Sequence, residues 1–321
     1  MKNTLLLLLV VTVSMAYMLS SCESRARDQA AATAAGTVAE KVSGALTAET
    51  QFAELKDRRI AYRRLGHGRP ILLCNRFRGI LDSWDPLFLD SLANHFEVIT
   101  FDYSGIGLST SARLDSLTEE KDVVELTGYL KLNKLILLGW SHGGKVAQTV
   151  AAHHPELISH LILLGTNPLG KNVIPAEKIF LERALKPVND LSDEYILFFE
   201  PASESSRLAA RATHDRIASR TEDKDAEVTP EKFQLYFNSG AHFNKDEMSR
   251  QKLANAPFPM LVISGYHDVV LPVENWYALN RSYKNMFIIT YPSSGHAPHH
   301  QHPVLAVNNI VDFVGNVEGQ R

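Results

Sequence analysis

Short, strongly apolar runs alternate along this chain with longer stretches whose apolar positions recur every three or four residues. The runs are Ile71–Cys74, Val98–Phe101, Leu135–Leu138, Leu161–Leu164, Met260–Ile263 and Met286–Ile289. They are rich in branched residues and bounded by Gly, Asn, Asp or Ser, the pattern of strands buried on both faces of a parallel sheet. The stretches near 84–94, 117–132, 143–153, 273–281 and 303–315 carry helical periodicity. Strands alternating with helices predict an α/β architecture, a mostly parallel central sheet flanked by helices. Ahead of them, Arg59–Arg64 ("RIAYRR") reads as a strand of a hairpin that turns at Gly66-His67-Gly68.

One segment breaks the alternation. Residues 169–256 hold no convincing buried strand. Instead Glu177–Leu185, Ser205–Arg220, Pro230–Phe237 and Lys245–Asn255 are helix-like and highly charged. Such an insertion between two strands reads as a helical cap over the carboxyl edge of the sheet, where ligands bind in α/β folds. The expected organisation is therefore a core from 51–168 and 257–321 with a cap at 169–256.

The N-terminus has a different pattern. Lys2 precedes an apolar run from Leu5 to Val13, extended by Met15, Ala16, Tyr17, Met18 and Leu19 and closed by Ser20-Ser21-Cys22. A basic start, a short apolar stretch and small residues describe an export signal over 1–21. The strongly apolar part is short for a span of about 20 residues. Leu19-Ser20-Ser21-Cys22 resembles the lipobox of bacterial lipoproteins. That resemblance implies lipidation of Cys22, a flexible tether over 22–50, and attachment to a membrane that the chain does not cross. With Glu23 after the cysteine, it points to the cell envelope, at the outer membrane or its periplasmic face.

Composition adds two exclusions. A formal net charge of −3 over 321 residues leaves no basic excess to offset phosphates, so nucleic acid is not an expected partner. The two cysteines, Cys22 and Cys74, cannot supply a disulfide framework if the first carries lipid. Cys74, inside an apolar run, reads as a buried inert thiol.

The chemistry concentrates in Gly139-Trp140-Ser141-His142-Gly143-Gly144-Lys145-Val146. As G-x-x-x-x-G-K it approaches a phosphate-binding loop, but Val146 stands where that loop needs a hydroxyl for Mg²⁺. As G-x-S-x-G it is a turn that exposes a serine between a strand and a helix. A serine hydroxyl needs a base, and the base needs an acid to orient it. Asp268 follows the strand Met260–Ile263, and His296 follows Met286–Ile289, giving the required order Ser, Asp, His. The adjacent His267 is a rival base. The cluster His296, His299, His300 and His302 also raises a metal site, but adjacent histidines restrained by prolines, with no nearby carboxylate in sequence, fit ligand geometry poorly.

From about Phe52 to the C-terminus the chain resembles the α/β-hydrolase-fold serine hydrolases. The resemblance rests on the elbow, on Asp102-Tyr103-Ser104-Gly105-Ile106-Gly107-Leu108-Ser109, on Gly265-x-x-Asp268-x-x-x-Pro272 and on Gly295-His296. It implies Ser141 as nucleophile, Asp268 as acid and His296 as base, acting on a small-molecule acyl substrate with no metal or organic cofactor. It also implies an oxyanion hole from the backbone N–H groups of His142 and Phe77. Where many relatives have His-Gly, this chain has Asn75-Arg76-Phe77-Arg78. Arg76, Arg78 and Trp140 are accordingly candidate substrate contacts. The expected activity is carboxylic-ester hydrolysis. Thioesterase, C–C hydrolase, aminopeptidase and cofactor-free haloperoxidase chemistry share this triad, and a non-catalytic binding protein on the same scaffold is the alternative of another kind.

Overall fold

The computed structural model describes residues 44–111 and 118–318. The export signal at 1–21, the lipidation site Cys22 and most of the 22–50 tether lie outside the described residues. Eight strands form one sheet: β1 (Gln51–Glu54), β2 (Arg59–Leu65), β3 (Pro70–Cys74), β4 (Glu97–Phe101), β5 (Leu135–Trp140), β6 (Ile158–Leu164), β7 (Met260–Gly265) and β8 (Met286–Tyr291). Their spatial order is β1-β2-β4-β3-β5-β6-β7-β8. From β4 onward every neighbouring pair is parallel.

Side chains alternate across this sheet and build two cores. Leu72, Ile99, Leu137, Leu163 and Val262 point to one face, where α2 (Glu119–Tyr129), α3 (His142–His153) and α9 (Glu274–Tyr277) contribute Leu126, Val150 and Trp276. Ile71, Leu73, Val98, Ile136, Leu138, Ile162 and Ile263 point to the other, against α1 (Pro86–Ala93) and α11 (Pro303–Glu318). Each fully buried aliphatic side chain contributes about 1.5–3 kcal/mol relative to exposure. The central strands are apolar at every position because both faces are covered.

The hairpin expectation needs correction. β2 does not turn at Gly66-His67-Gly68 to pair with the next strand. It pairs antiparallel with β1 and with β4, and β4 lies between β2 and β3. The hairpin is β1–β2. The turn at 66–68 lifts the chain out of β2 instead, with Gly66 at φ 69° and Gly68 at φ 102°. A side chain at Gly66 would also strike the Ala93 carbonyl at 2.4 Å.

Between β6 and β7 the described chain is helical: α4 (Lys178–Ala184), α5 (Leu191–Leu197), α6 (Glu204–Ala218), α7 (Phe233–Phe243) and α8 (Glu247–Ala254). α5 was not anticipated, being only seven residues long and close behind Pro187. Its start is nonetheless written locally. Asp190 caps the Asp193 amide, and the Asp193 carboxylate accepts from the Asp190 amide. The stretch expected to be helical over 273–281 is regular only through Glu274–Tyr277. The one remaining α-helix among the described residues, α10 (Pro298–Gln301), follows the His296 loop.

Two buried acids tie the insertion to the sheet. Asp85 caps α1 through the Leu87 amide and accepts Arg216 Nε at 2.8 Å and Thr213 Oγ1 at 2.9 Å from α6. Asp102 meets Asp225, and the Leu81 amide donates to both carboxyls, at 2.9 and 2.8 Å. A third, Asp122, organises the loop after β4. It accepts from Arg58 Nε at 2.8 Å and from the Ser104 amide at 2.8 Å.

Two predictions follow from these acids. Asp122→Ala removes one of the three carboxylates around the buried Arg58, which keeps Asp57 and Glu125, and frees the Ser104 amide; it is expected to lower unfolding stability by about 1–3 kcal/mol, read as a fall in the urea midpoint. Burial, and then the Asp225 charge, holds Asp102 well above the usual carboxylate range, and burial also raises Asp225. Raised folded values favour the native state below the ordinary carboxylate range, and that contribution is lost as pH rises through them. Asp225→Asn is therefore expected to raise Tm relative to wild type more at alkaline than at mildly acidic pH; a pH-independent difference contradicts this.

Candidate active site

β5 runs straight into α3, and Ser141 is the residue at the junction. Its φ is 57°, in the left-handed region that a residue with a side chain rarely occupies. Close packing around it holds this conformation. A Cβ at Gly139 would come within 2.3 Å of the Gly143 carbonyl oxygen, and one at Gly143 within 2.1 Å of the Cys74 carbonyl. Small residues two before and two after the serine are thus what lets the helix start so tightly against β3 and β5. The Ser141 amide donates to Leu164 O at 3.0 Å, and Thr166 Oγ1 donates to Ser141 O at 2.8 Å.

His296 reaches the serine from the loop after β8. Its Nε2 lies 2.7 Å from Ser141 Oγ, and its Nδ1 lies 2.8 Å from Asp268 Oδ2. The other carboxylate oxygen of Asp268 accepts the amides of Val270 at 2.8 Å and Leu271 at 2.9 Å. The carboxylate is therefore fixed from both sides, by its own turn and by the imidazole. All three groups are buried. The rival base His267 turns away and pairs with Glu200 at 2.7 Å.

The loop after β3 is braced by Asn75. Its Oδ1 accepts the Arg76 amide at 2.9 Å, and its Nδ2 donates to Ile80 O at 2.6 Å. The amides of Phe77 and His142 donate to no acceptor among the described residues, as an anion-binding pair requires. The His142 side chain has a separate task. It lies 2.8 Å from Glu119 Oε1, which also accepts Ser239 Oγ at 2.6 Å, so it links α3, α2 and α7.

The three candidate substrate contacts lie in different settings. Trp140 is almost wholly buried and donates its indole N–H to His296 O at 3.1 Å, which steadies the imidazole's backbone. Arg78 donates to the carbonyls of Ala184, Lys186 and Pro187 and to Asn189 Oδ1, tying the loop to the insertion. The Arg76 guanidinium stacks over Trp140 and Phe198 and makes one hydrogen bond among the described residues, from Nη1 to Phe77 O.

Lys145 of the near-match phosphate loop is buried and donates to Pro168 O at 2.7 Å. Burial, then the Arg250 charge, pushes its ammonium down to about 7. Burial likewise raises the Cys74 thiol, which disfavours the reactive thiolate. His299 packs against Trp140 and Phe88, and burial pushes its imidazole well below its usual value; His300 is pushed down to about 4 for the same reason. Among the described residues no three His, Cys, Asp or Glu side chains are grouped to hold a metal.

Asn75, Glu119, Phe198 and Asp225 were not singled out from the sequence. Asn75 sits next to a recognised position, yet its bracing contact depends on the loop's fold. The other three gain their roles only through packing across distant segments.

Comparison with known proteins identifies the fold. Residues 69–303 match the alpha/beta hydrolase fold family. A pimeloyl-(acyl-carrier protein) methyl ester esterase of Yersinia enterocolitica is 27% identical over 232 residues, covering 70% of this chain and 85% of that protein. An alpha/beta hydrolase fold protein from Chitinophaga pinensis superimposes with a TM-score of 0.75 at 28% identity, covering 84% of this chain and 98% of that one. A thermophilic esterase from Thermogutta terrifontis shares the fold, with a TM-score of 0.63 at 22% identity over 83% of this chain and 99% of that one. A serine raised on a strained turn at the carboxyl edge of a parallel sheet, within a match that spans most of the chain, has one explanation: the chain belongs to the alpha/beta hydrolase fold family.

Proposed function

We propose that this protein is a serine hydrolase that cleaves carboxylic esters through an acyl-enzyme on Ser141. The observation that carries the reading is the unbroken line from Asp268 Oδ2 to His296 Nδ1, and from His296 Nε2 to Ser141 Oγ. A hydroxyl is a poor nucleophile until a base removes its proton as it attacks. With Nδ1 protonated and donating to Asp268, Nε2 is left free to accept that proton. Ser141 Oγ then bonds to the carbonyl carbon, and the carbonyl oxygen becomes an oxyanion held by the Phe77 and His142 amides. The C–O bond to the alcohol breaks as His296 returns the proton to the leaving oxygen. Water repeats the sequence on the acyl-enzyme and frees the acid. Curated relatives named as esterases support ester hydrolysis over the other reactions that this triad can perform.

Ser141→Ala is expected to lower kcat on p-nitrophenyl butyrate by roughly a thousandfold or more, and Asp268→Asn by roughly ten-thousandfold through loss of the productive tautomer. A fluorophosphonate probe should label Ser141. Near-wild-type turnover in the Ser141→Ala protein, or labelling elsewhere, rejects the reading. On the same reading the envelope is the site of action, with a lipid on Cys22 as anchor. Cys22→Ala should then abolish incorporation of labelled palmitate in cells, and unchanged incorporation would exclude the anchor.

A further inference from the structure

Between the carboxyl edge of the sheet and the helical insertion lies a pocket of about 340 Å³. Its wall carries several charged groups, and most are already engaged. Arg78 holds the insertion's carbonyls. Arg220 donates to Ala45 O and Ala48 O. Glu194 pairs with His214 at 3.1 Å. Arg76 is different. Its Nη1 donates to Phe77 O at 2.8 Å, but its Nε is buried with no acceptor among the described residues, and no carboxylate there forms an ion pair with it.

The guanidinium is also fixed in place. Its carbon lies 4.8 Å from the Phe198 ring centre and 5.2 Å from that of Trp140. These rings in turn lie 6.5 and 6.3 Å from the His296 imidazole. Aromatic faces attract a cation, but they cannot satisfy its N–H groups. Burial, and then the Arg78 charge, pushes this guanidinium down to about 10, so it remains charged at neutral pH. The negative charge that reaches it is Glu194, which is paired with His214 and makes no bond to Arg76, so an entering anion would supply the acceptor that the guanidinium lacks. The planar fork of arginine matches a carboxylate in particular.

We infer that Arg76 determines specificity by binding a carboxylate carried by the ester substrate, so that the preferred substrates are esters bearing a second acid group. This rests on the serine-hydrolase reading, and deepens it. The guanidinium positions the distal acid while Ser141 attacks the ester carbonyl, the two ends meeting across Trp140 and Phe198, the rings that neighbour both Arg76 and His296.

The test compares monomethyl succinate, glutarate and adipate with methyl butyrate, valerate and hexanoate, and adds butyryl glycolate, which carries its acid on the alcohol side. Wild type should favour at least one acid ester over its neutral counterpart. Arg76→Met should reduce that ratio of kcat/KM values by about tenfold or more, mainly through KM, the size expected for loss of a hydrogen bond between charged groups. Arg76→Lys should restore part of it. Fluorophosphonate labelling of the variants reports whether the site has folded. If Arg76→Met does not fold, inhibition of wild type decides instead. Adipate should compete with methyl hexanoate, less so at high salt, while hexanediol should not. An equal loss on acid and neutral esters, or no inhibition by adipate, makes Arg76 a packing residue and overturns the inference. Inactivity of wild type on every ester, with Ser141 unlabelled, would instead sink the serine-hydrolase reading; dicarboxylate binding, measured as a Tm shift, would then still decide the role of Arg76.

Discussion

The turn at Ser141 is the constraint on which the site depends. A non-glycine residue in the left-handed region carries a penalty of about 1–3 kcal/mol, which surrounding packing must offset. Here the offset comes from α3, whose residues 143–152 are all buried against the sheet and the insertion. The glycines at 139 and 143 let that helix approach β3 closely enough for its first amide to sit beside the Asn75 loop. Strain at Ser141 and density in the core are two aspects of one packing arrangement.

The same arrangement explains why the functional groups converge. In a parallel sheet with right-handed crossovers every strand delivers its following loop to one edge. β3 delivers Asn75 and Phe77, β5 delivers Ser141, β7 delivers Asp268 and β8 delivers His296. Asp268 is held by two amides of its own turn as well as by the His296 imidazole. Trp140 closes the arrangement from below through His296 O.

The insertion is joined to this edge by apolar packing, in which Leu169, Phe233, Tyr236 and Leu253 share a core with the sheet, and by a set of polar contacts. Asp85 receives Arg216 and Thr213, Asp102 meets Asp225, Glu119 receives Ser239, and Arg78 grips the carbonyls after α4. Buried polar joints of this kind demand one geometry, because a displaced partner leaves a desolvated group unpaired. They set the shape of the pocket in which Arg76 lies.

Local signals were enough to read the strands, the elbow and the order Ser141, Asp268, His296, because burial on both faces leaves an unbroken apolar run and the strained turn admits so few residues. They misplaced the hairpin at 66–68, since pairing of β2 with β4 rather than β3 is decided by strands far apart in sequence. They passed over α5, whose seven residues carry little periodicity, and overran α9. They offered Arg76 and Arg78 as equals. The fold separated them: Arg78 lies within reach of the carbonyls at the end of α4, while Arg76 packs against Trp140 and Phe198 and forms no ion pair among the described residues. Which residue types could do chemistry was written in the sequence. Which of them met a partner depended on long-range packing, because a hydrogen bond or an ion pair requires a separation of a few ångströms that no local pattern encodes.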